Sequence, residues 1–453
     1  MLTLRERLIR GIGATAVTPF ATAAIQLGAV PLLLHAWGAA KYGDWLLLTA
    51  VPSYLSMSDL GFGDASGSDM TARVAAGDKE GALRTFQSSW VLLTLICAIV
   101  AIAALLLTPW FPWQSWLRLA GLSGSEAAAI ITVMTLYVLV GQQAGVLESG
   151  YRCDGNYALG TALASALRLA EAAGATAIGV ASKSLLYTAI AYLSIKAIGI
   201  VFYAIVLRRK SPWLRLGTGH ASMDSVKQLA LPAASFVVLP LAQALSFQGF
   251  TVLIGILLGP LAVATFSTLR ALTRVNTQVV ASVGHTLWPE FSRAFGAGDL
   301  SLARTLHQRA YQVALAVSAL SSITLWVAGP TIYHLWVRKA LTFDSNCFHI
   351  LILVSVANTL WSTSSVVAMS TNRHHWLALS SLAGAVGSLG LCYFLIDRLG
   401  LTGAALSLLV SDIAMIVIVL RDSLYHLRET IPSFSRALIS FRTFPASQHP
   451  KEA

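Results

Sequence analysis

Residues 76–90 read AGDKEGALRTFQSSW, and residues 297–311 read AGDLSLARTLHQRAY. Both stretches begin with Ala-Gly-Asp, have alanine at the seventh place and glutamine at the twelfth, and end on a large aromatic residue. The same offset of 221 positions extends upstream through further matching pairs, which are Pro19/Pro240, Gly28/Gly249, Gly38/Gly259 and Gly63/Gly284. Proline, glycine and aspartate rarely stay in register by chance over such a length. The chain therefore contains two related halves.

The composition of the chain indicates a membrane protein. Of its 453 residues, 56% are hydrophobic and 11% are charged, and the mean hydropathy is +0.70. Soluble domains carry about 25% charged residues. A spanning helix needs about 20 apolar residues, and about twelve such runs occur. These spans 1 to 12 lie near residues 11–36, 45–64, 89–109, 127–150, 156–181, 184–207, 228–258, 261–288, 306–336, 345–370, 375–397 and 401–425. We predict an all-α, polytopic membrane protein.

The basic residues predict the orientation of these spans. The net charge is +11. If the N-terminus is cytoplasmic, 21 of the 31 Lys and Arg residues fall on the cytoplasmic side and six fall outside. This asymmetry follows the positive-inside rule and predicts that both termini are cytoplasmic. The positive charge is thus explained by topology and by anionic lipid, and it does not indicate nucleic-acid binding.

The duplication predicts how the chain is divided. Residues 1–10 form an amphipathic cytoplasmic segment, residues 11–210 and 228–427 form two bundles of six helices, residues 211–227 link the bundles, and residues 428–453 form a cytoplasmic tail. Six spans per bundle is an even number, so both halves enter the membrane in the same sense, around a central cavity. Transporters use such repeats for alternating access. In each Ala-Gly-Asp phrase, glycine ends one helix and aspartate caps the next.

The two halves differ where charge lies deep in the membrane. Thr49 and Ser53 of span 2 correspond to Arg270 and Arg274 of span 8. The arginines are four residues apart and share one helical face, on which Gln278 follows. At about 1.5 Å per residue from Gly259, Arg270 lies about 16 Å into a core about 30 Å thick. Ionisable residues at that depth mark functional sites. Polar residues in spans 1 and 2, Gln26 among them, predict a hydrated cavity beside the arginines.

Other deep charges are candidates for binding or for ion coupling. Lys196 has no local partner, whereas Arg168 has Glu171 three residues on and is predicted to pair with it. Asp412 and Glu171 are mid-span acids, and Asp59 lies nearer a helix end. The acids are candidate coupling sites, and the cations are candidate substrate ligands. For the arginine pair a structural ion pair is the alternative, but spans 7 and 8 contain no acid. The positive excess favours an anion bearing phosphate, and no metal or cofactor motif occurs.

Several motifs resemble a known family. They are MLTLRERLIRGIG at the start, WGAAKYGDWLLL, SDLGFGDASGSDMTARVAAGD at 58–78, LESGYRCDGNYALG at 147–160, LGPLAVATFSTLRALTRV at 258–275 and WPEFSRAFGAGD at 288–299. Ser58-Asp59-Leu60-Gly61 and Pro289-Glu290 stand where this family has its typical motifs. The chain resembles the O-antigen-type (Wzx-like) polysaccharide flippases of the MOP superfamily, which also contains the MATE exporters.

The resemblance implies a function. It implies two MATE-like bundles in the bacterial inner membrane that move undecaprenyl-pyrophosphate-linked oligosaccharide to the outer leaflet, for O-antigen, lipopolysaccharide or exopolysaccharide synthesis. Partners would include the polysaccharide polymerase and the chain-length machinery. Arg270 and Arg274 would then meet the pyrophosphate. The expected protein is a transporter rather than an enzyme.

Two other functions stay open. One is a MATE-like, ion-coupled exporter of small molecules, in which Glu171 or Asp412 binds the coupling ion and Arg270 matters little. The other is a membrane glycosyl polymerase or ligase. The longest predicted outer loops, near residues 110–126 and 337–344, contain no convincing acid/base set for such an enzyme.

Overall fold

The chain folds into helices. The computed structural model describes residues 25–439 except 26, 58–60, 236, 276, 279, 281–290, 292, 339 and 371–374, and within them every regular element is helical. The helices are α1 (Leu27–Trp37), α2 (Ala39–Ser53), α3 (Phe62–Ala75), α4 (Lys79–Leu107), α5 (Trp113–Trp116), α6 (Gly124–Cys153), α7 (Tyr157–Ser182), α8 (Leu185–Lys210), α9 (Met223–Ser235), α10 (Val238–Leu258), α11 (Pro260–Thr273), α12 (Leu300–Val337), α13 (Ser345–Ser370), α14 (His375–Leu399), α15 (Leu401–His426) and α16 (Ile431–Ile439). The predicted all-α class is confirmed.

Nine of the described helices are long and apolar enough to cross a membrane: α4, α6, α7, α8, α10, α12, α13, α14 and α15. They coincide with predicted spans 3 to 6 and 9 to 12, whereas α10 covers only residues 238–258 of predicted span 7, whose first part belongs to α9. Spans 1, 2 and 8 contain the shorter helices α1, α2 and α11. Part of span 1 and much of the second half of span 8 lie outside the described residues.

The prediction of span 2 as one helix over residues 45–64 is wrong. Helix α2 begins at Ala39 and ends at Ser53, a 3-10 turn follows at Tyr54–Met57, and α3 begins only after Gly61. Pro52 has no N–H for the helical ladder, and Gly61 adopts a left-handed backbone with φ of 75°. Helix α3 is polar and contains an ion pair between Asp69 and Arg73, so it does not continue the apolar run.

The duplicated turns have the same local structure. The Asp78 side chain accepts a hydrogen bond from the Gly81 N–H and begins α4, and the Asp299 side chain accepts one from the Leu302 N–H and begins α12. The preceding glycines both have positive φ. The predicted helix-ending glycine and capping aspartate are confirmed. The register also extends beyond the matched sequence, because Ser123 and Asp344, again 221 positions apart, accept equivalent backbone hydrogen bonds at the starts of α6 and α13.

Removal of either cap is expected to affect stability and not transport. Asp299→Ala should lower the free energy of unfolding by about 1 kcal/mol, because one helix N–H loses its acceptor. Bonds from the Ser301 hydroxyl and the Leu302 N–H hold the pKa of Asp299 below its ordinary value. The stabilisation is therefore present at neutral pH and is lost as pH falls through that lowered pKa. Thermal unfolding of Asp78→Ala, Asp299→Ala and the double variant, with transport measured in parallel, tests this. Loss of transport without loss of stability would contradict the scaffold role.

The two halves meet at the end of the molecule that contains Gly38 and Gly259. These glycines are 221 positions apart and have nearly the same backbone conformation, φ 78° with ψ 166° and φ 86° with ψ 175°. A methyl group at Gly43 would overlap the carbonyl oxygen of Pro260, so α2 and α11 are in direct contact. The Trp336 indole N–H donates to the Leu27 carbonyl across the same boundary, at 2.8 Å.

Apolar packing joins the halves at this end. Side chains of both halves, including Leu47, Ile130, Phe266 and Tyr333, belong to one buried cluster. Around the Ala-Gly-Asp turns the largest described clusters are separate, with Phe86 in the N-terminal half and Leu306 in the C-terminal half. In the part of the chain that the structure describes, the largest apolar cluster that joins the halves lies at this end, and a small second cluster joins Phe62 and Ala65 to Leu229 of α9.

The predicted linker, residues 211–227, contacts the N-terminal half. The Gln87 side chain donates to the Arg215 carbonyl and accepts from the His220 N–H, and the Ser88 hydroxyl accepts from the Ser222 N–H. Helix α9 crosses the predicted boundary at residue 228 and packs against α3 and α4. The division into two six-helix bundles stays a prediction, whereas the attachment of the linker to α4 is a direct observation.

Candidate functional site

Arg270 and Arg274 lie together at the end of α11. The Arg270 Nη2 donates to the carbonyl oxygen of Ser246 at 2.9 Å. Its guanidinium carbon lies 4.2 Å from the centre of the Phe247 ring, and that of Arg274 lies 3.9 Å from the same ring. Ser246 and Phe247 belong to a π-helical turn within α10, Leu245–Gly249. Such turns are rare and often occur at functional sites.

An acid on a distant helix interacts electrostatically with the arginine pair. Asp412 of α15 is electrostatically coupled to both arginines. Its Oδ1 accepts hydrogen bonds from the Trp361 indole at 2.8 Å and from the Asn358 amide at 3.3 Å, both on α13. Among the described ion pairs, none within 4.0 Å joins Asp412 to an arginine. With Asp412 ionised, two guanidiniums face one carboxylate among the described residues, which leaves one positive charge in excess within that part of the chain.

The predicted pairing of Arg168 with Glu171 is wrong. Glu171 Oε1 pairs with Lys196 Nζ of the next helix at 2.6 Å, and its Oε2 accepts from the Tyr137 hydroxyl at 3.0 Å. Residues three apart on a helix differ in direction by only about 60°, so the spacing alone permits the pair, but the packing of α7 on α8 turns Glu171 toward Lys196 instead. Glu171 faces the contact with α8, whereas Arg168 is exposed and its Nε donates to the Ala164 carbonyl. Lys196, for which no local partner was predicted, therefore has one across the helix boundary.

Four charged residues of the N-terminal half line a cavity of about 280 Å³. Its lining includes Glu148, Arg168, Glu171 and Lys196, together with glycines of α6 and α8. Two acids and two bases line this cavity, so it has no net charge when all four are ionised. The contrast with the arginine cluster indicates that an anion would be held by the C-terminal half.

The Glu171–Lys196 pair of the N-terminal half and Asp412 of the C-terminal half occupy related positions in their halves. Tyr137 and Asn358 are 221 positions apart, on α6 and α13, and each donates to a carboxylate of its own half, Tyr137 to Glu171 and Asn358 to Asp412. Helices α8 and α15 both have 26 residues, and Lys196 and Asp412 are each the twelfth. This helix position therefore carries a cation in the N-terminal half and an acid in the C-terminal half. A register of 221 does not reveal this match, because the offset between these two helices is 216.

The remaining predicted site residues are distributed as follows. The hydroxyl of Thr49 donates to the carbonyl of Trp45, and that of Ser53 to the carbonyl of Thr49, so both are satisfied within α2. Gln278 lies one turn beyond Arg274, to whose carbonyl its backbone N–H donates at 3.2 Å. Gln26 and Asp59 lie outside the described residues. Phe247 and Trp361 were missed, because apolar aromatic residues in a span do not stand out.

The chain was compared with known proteins. No protein-family model and no curated protein matches it in sequence. Solved structures match over nearly its whole length. One described as "Inward-facing conformation of a multidrug resistance MATE family transporter of the MOP superfamily" is 14% identical with a TM-score of 0.76, over 92% of this chain and 98% of that one. The corresponding outward-facing structure is 13% identical with a TM-score of 0.63, over 93% and 95%.

A third structure, "Crystal structure of MATE in complex with MaD3S", is 16% identical with a TM-score of 0.64, over 94% of this chain and 99% of that one. At such identities the likeness is one of fold. The chain has the fold of the MATE family transporters of the MOP superfamily.

Proposed function

We propose that the protein is a MATE-like, alternating-access membrane exporter whose substrate carries negative charge. The observation that carries the proposal is the Arg270/Arg274 cluster, where, among the described residues, two guanidiniums are opposed by one carboxylate, that of Asp412. A charged pair within a spanning region is expensive unless it meets water, protein or a ligand. Guanidiniums bind phosphate and carboxylate through paired, charge-assisted hydrogen bonds.

Alternating access is supported by the contact between the halves. They are joined through Gly43, Pro260 and a large shared apolar cluster at one end, and the largest described clusters around the Ala-Gly-Asp turns are separate. Rocking about the joined end would open and close a path to the arginines. The solved structures of this fold are named as inward-facing and outward-facing, which are the two states that this mechanism requires.

The solved structures are named as multidrug transporters, and they therefore favour an exporter of small molecules over a polysaccharide flippase. The charge of the arginine cluster favours an anion over a cationic drug. Translocation of undecaprenyl-pyrophosphate-linked oligosaccharide is the second candidate, because two adjacent guanidiniums match two adjacent phosphates. The inner-membrane location, the cytoplasmic termini and cooperation with a polymerase belong to this second candidate and stay predictions.

The test uses the purified full chain in proteoliposomes with three fluorescent probes: a cationic dye such as ethidium, an anionic dye such as carboxyfluorescein, and a labelled polyprenyl-diphosphate oligosaccharide. Transport of either anion, and not of ethidium, supports the proposal. Transport of the lipid-linked probe alone identifies the flippase. Transport of ethidium alone would overturn the anion proposal. Repeating the assay under an imposed proton or sodium gradient identifies coupling.

A further inference from the structure

Phe247 contacts both members of the arginine pair. The two guanidinium carbons lie 4.2 Å and 3.9 Å from the centre of its ring, so they are no farther from each other than the sum of these distances. At that separation two like charges repel. The face of an aromatic ring carries negative charge density and attracts a cation placed over it. Phe247 therefore offsets the repulsion that would otherwise drive the guanidiniums apart.

The two arginines are held unequally. Arg270 is anchored by the Ser246 carbonyl and lies 6.0 Å from a second ring, that of Phe266. For the Arg274 guanidinium, the Phe247 ring is the one contact found among the described residues. A cation–π contact uses the charge of a guanidinium and leaves its N–H groups available. The ring therefore holds the Arg274 guanidinium in place while its N–H groups stay available to donate to a ligand.

The acid opposite the arginines is also held in place. Asp412 Oδ1 accepts from both Trp361 and Asn358. These bonds hold the carboxylate without a direct ion pair to either guanidinium. An incoming anion therefore does not have to displace a salt bridge before it binds.

We propose that Phe247 is a positioning residue, which holds the guanidiniums of Arg270 and Arg274 around one ring as a receptor for a ligand with two adjacent anionic groups, such as a diphosphate. This inference rests on the proposed function and adds a preference to it. Each guanidinium would grip one phosphoryl group through paired hydrogen bonds. A ligand with a single phosphate binds one guanidinium and does not relieve the repulsion between the two guanidiniums.

The test measures binding of farnesyl diphosphate and farnesyl monophosphate to the full chain in nanodiscs by calorimetry. Phe247→Met keeps most of the apolar volume but removes the ring, and Phe247→Tyr keeps the ring. We expect Phe247→Met to weaken diphosphate binding by about tenfold, and to weaken monophosphate binding much less. Phe247→Tyr should bind like the wild type. Phe250→Met, which alters a buried ring of α10 that stacks on Phe266, is the packing control.

The outcomes separate the two proposals. If Phe247→Met and Phe247→Tyr weaken diphosphate binding equally, or if the ratio of diphosphate to monophosphate affinity is the same in Phe247→Met and wild type, the positioning role is wrong while the anion site stands. If the wild type binds neither farnesyl diphosphate nor farnesyl monophosphate but does bind ethidium, the proposed function fails and the inference fails with it. Loss of binding in Phe250→Met equal to that in Phe247→Met would assign the effect to packing and overturn the inference.

Discussion

Arg274→Ala is expected to reduce transport of the anionic substrate by about 30-fold or more, because truncating one partner of a desolvated charged contact costs about 2–5 kcal/mol. Arg270→Ala should have an effect of the same order. Arg270 also bonds to the Ser246 carbonyl, so its loss should disturb the π-turn as well. Arg274→Ala is therefore the cleaner variant. Lysine at either position should restore part of the activity, since lysine retains the charge but not the fork of N–H donors.

The measurement is initial transport rate in proteoliposomes, at protein levels matched by size-exclusion fluorescence. Arg209→Ala is the matched control, because Arg209 is an exposed arginine at the end of α8. Export that persists unchanged in both alanine variants would reject the cationic site, and it would favour the reading in which an acid and a coupling ion carry the mechanism.

Lys196→Met is expected to destabilise the protein by about 3–5 kcal/mol, because it leaves the Glu171 carboxylate buried without its cation. Only 6% of the Glu171 side chain and 18% of the Lys196 side chain are exposed. The hydrogen bond from Tyr137 persists in the variant but supplies no charge. The double variant Glu171→Gln with Lys196→Met should recover most of the lost stability, since it removes both charges together.

Unfolding of the detergent-solubilised chain checks this, with Lys210→Met, at the exposed end of α8, as the control. A double variant no more stable than Lys196→Met would show that the pair does not account for the effect. Transport of the double variant is also informative. If Glu171 binds a coupling ion, transport stops in a protein that is still stable. If the pair is structural, transport continues.

Much of the fold could be predicted from local patterns. The lengths of the apolar runs located nine described helices, because a bilayer core demands about 20 apolar residues per span. Asp78 and Asp299 were identified as caps because a short carboxylate before a helix satisfies a free N–H wherever the helix lies. The break of span 2 at Pro52 and Gly61 was missed because the surrounding apolar residues dominate a hydropathy average.

The candidate site could be predicted only in part. Arg270 and Arg274 were singled out because arginines deep in an apolar run are rare. Glu171 was assigned to the wrong cation, since spacing along one helix does not show which side chain the next helix brings near. Asp412 lies well over a hundred residues from the arginines in the chain, and its approach to them depends on the packing of α15 against α13.

Local features, such as the length of an apolar run, a helix cap or a glycine turn, can therefore be predicted from the sequence without the three-dimensional structure. They depend on backbone geometry that is the same in every helix. The partner of each charge within the bundle, by contrast, cannot be predicted from local sequence. It depends on the rotation and register of neighbouring helices, which are set by side-chain packing over the whole bundle. That packing neutralised Lys196 with Glu171, left the arginine pair with one shared acid, and placed Phe247 against both guanidiniums.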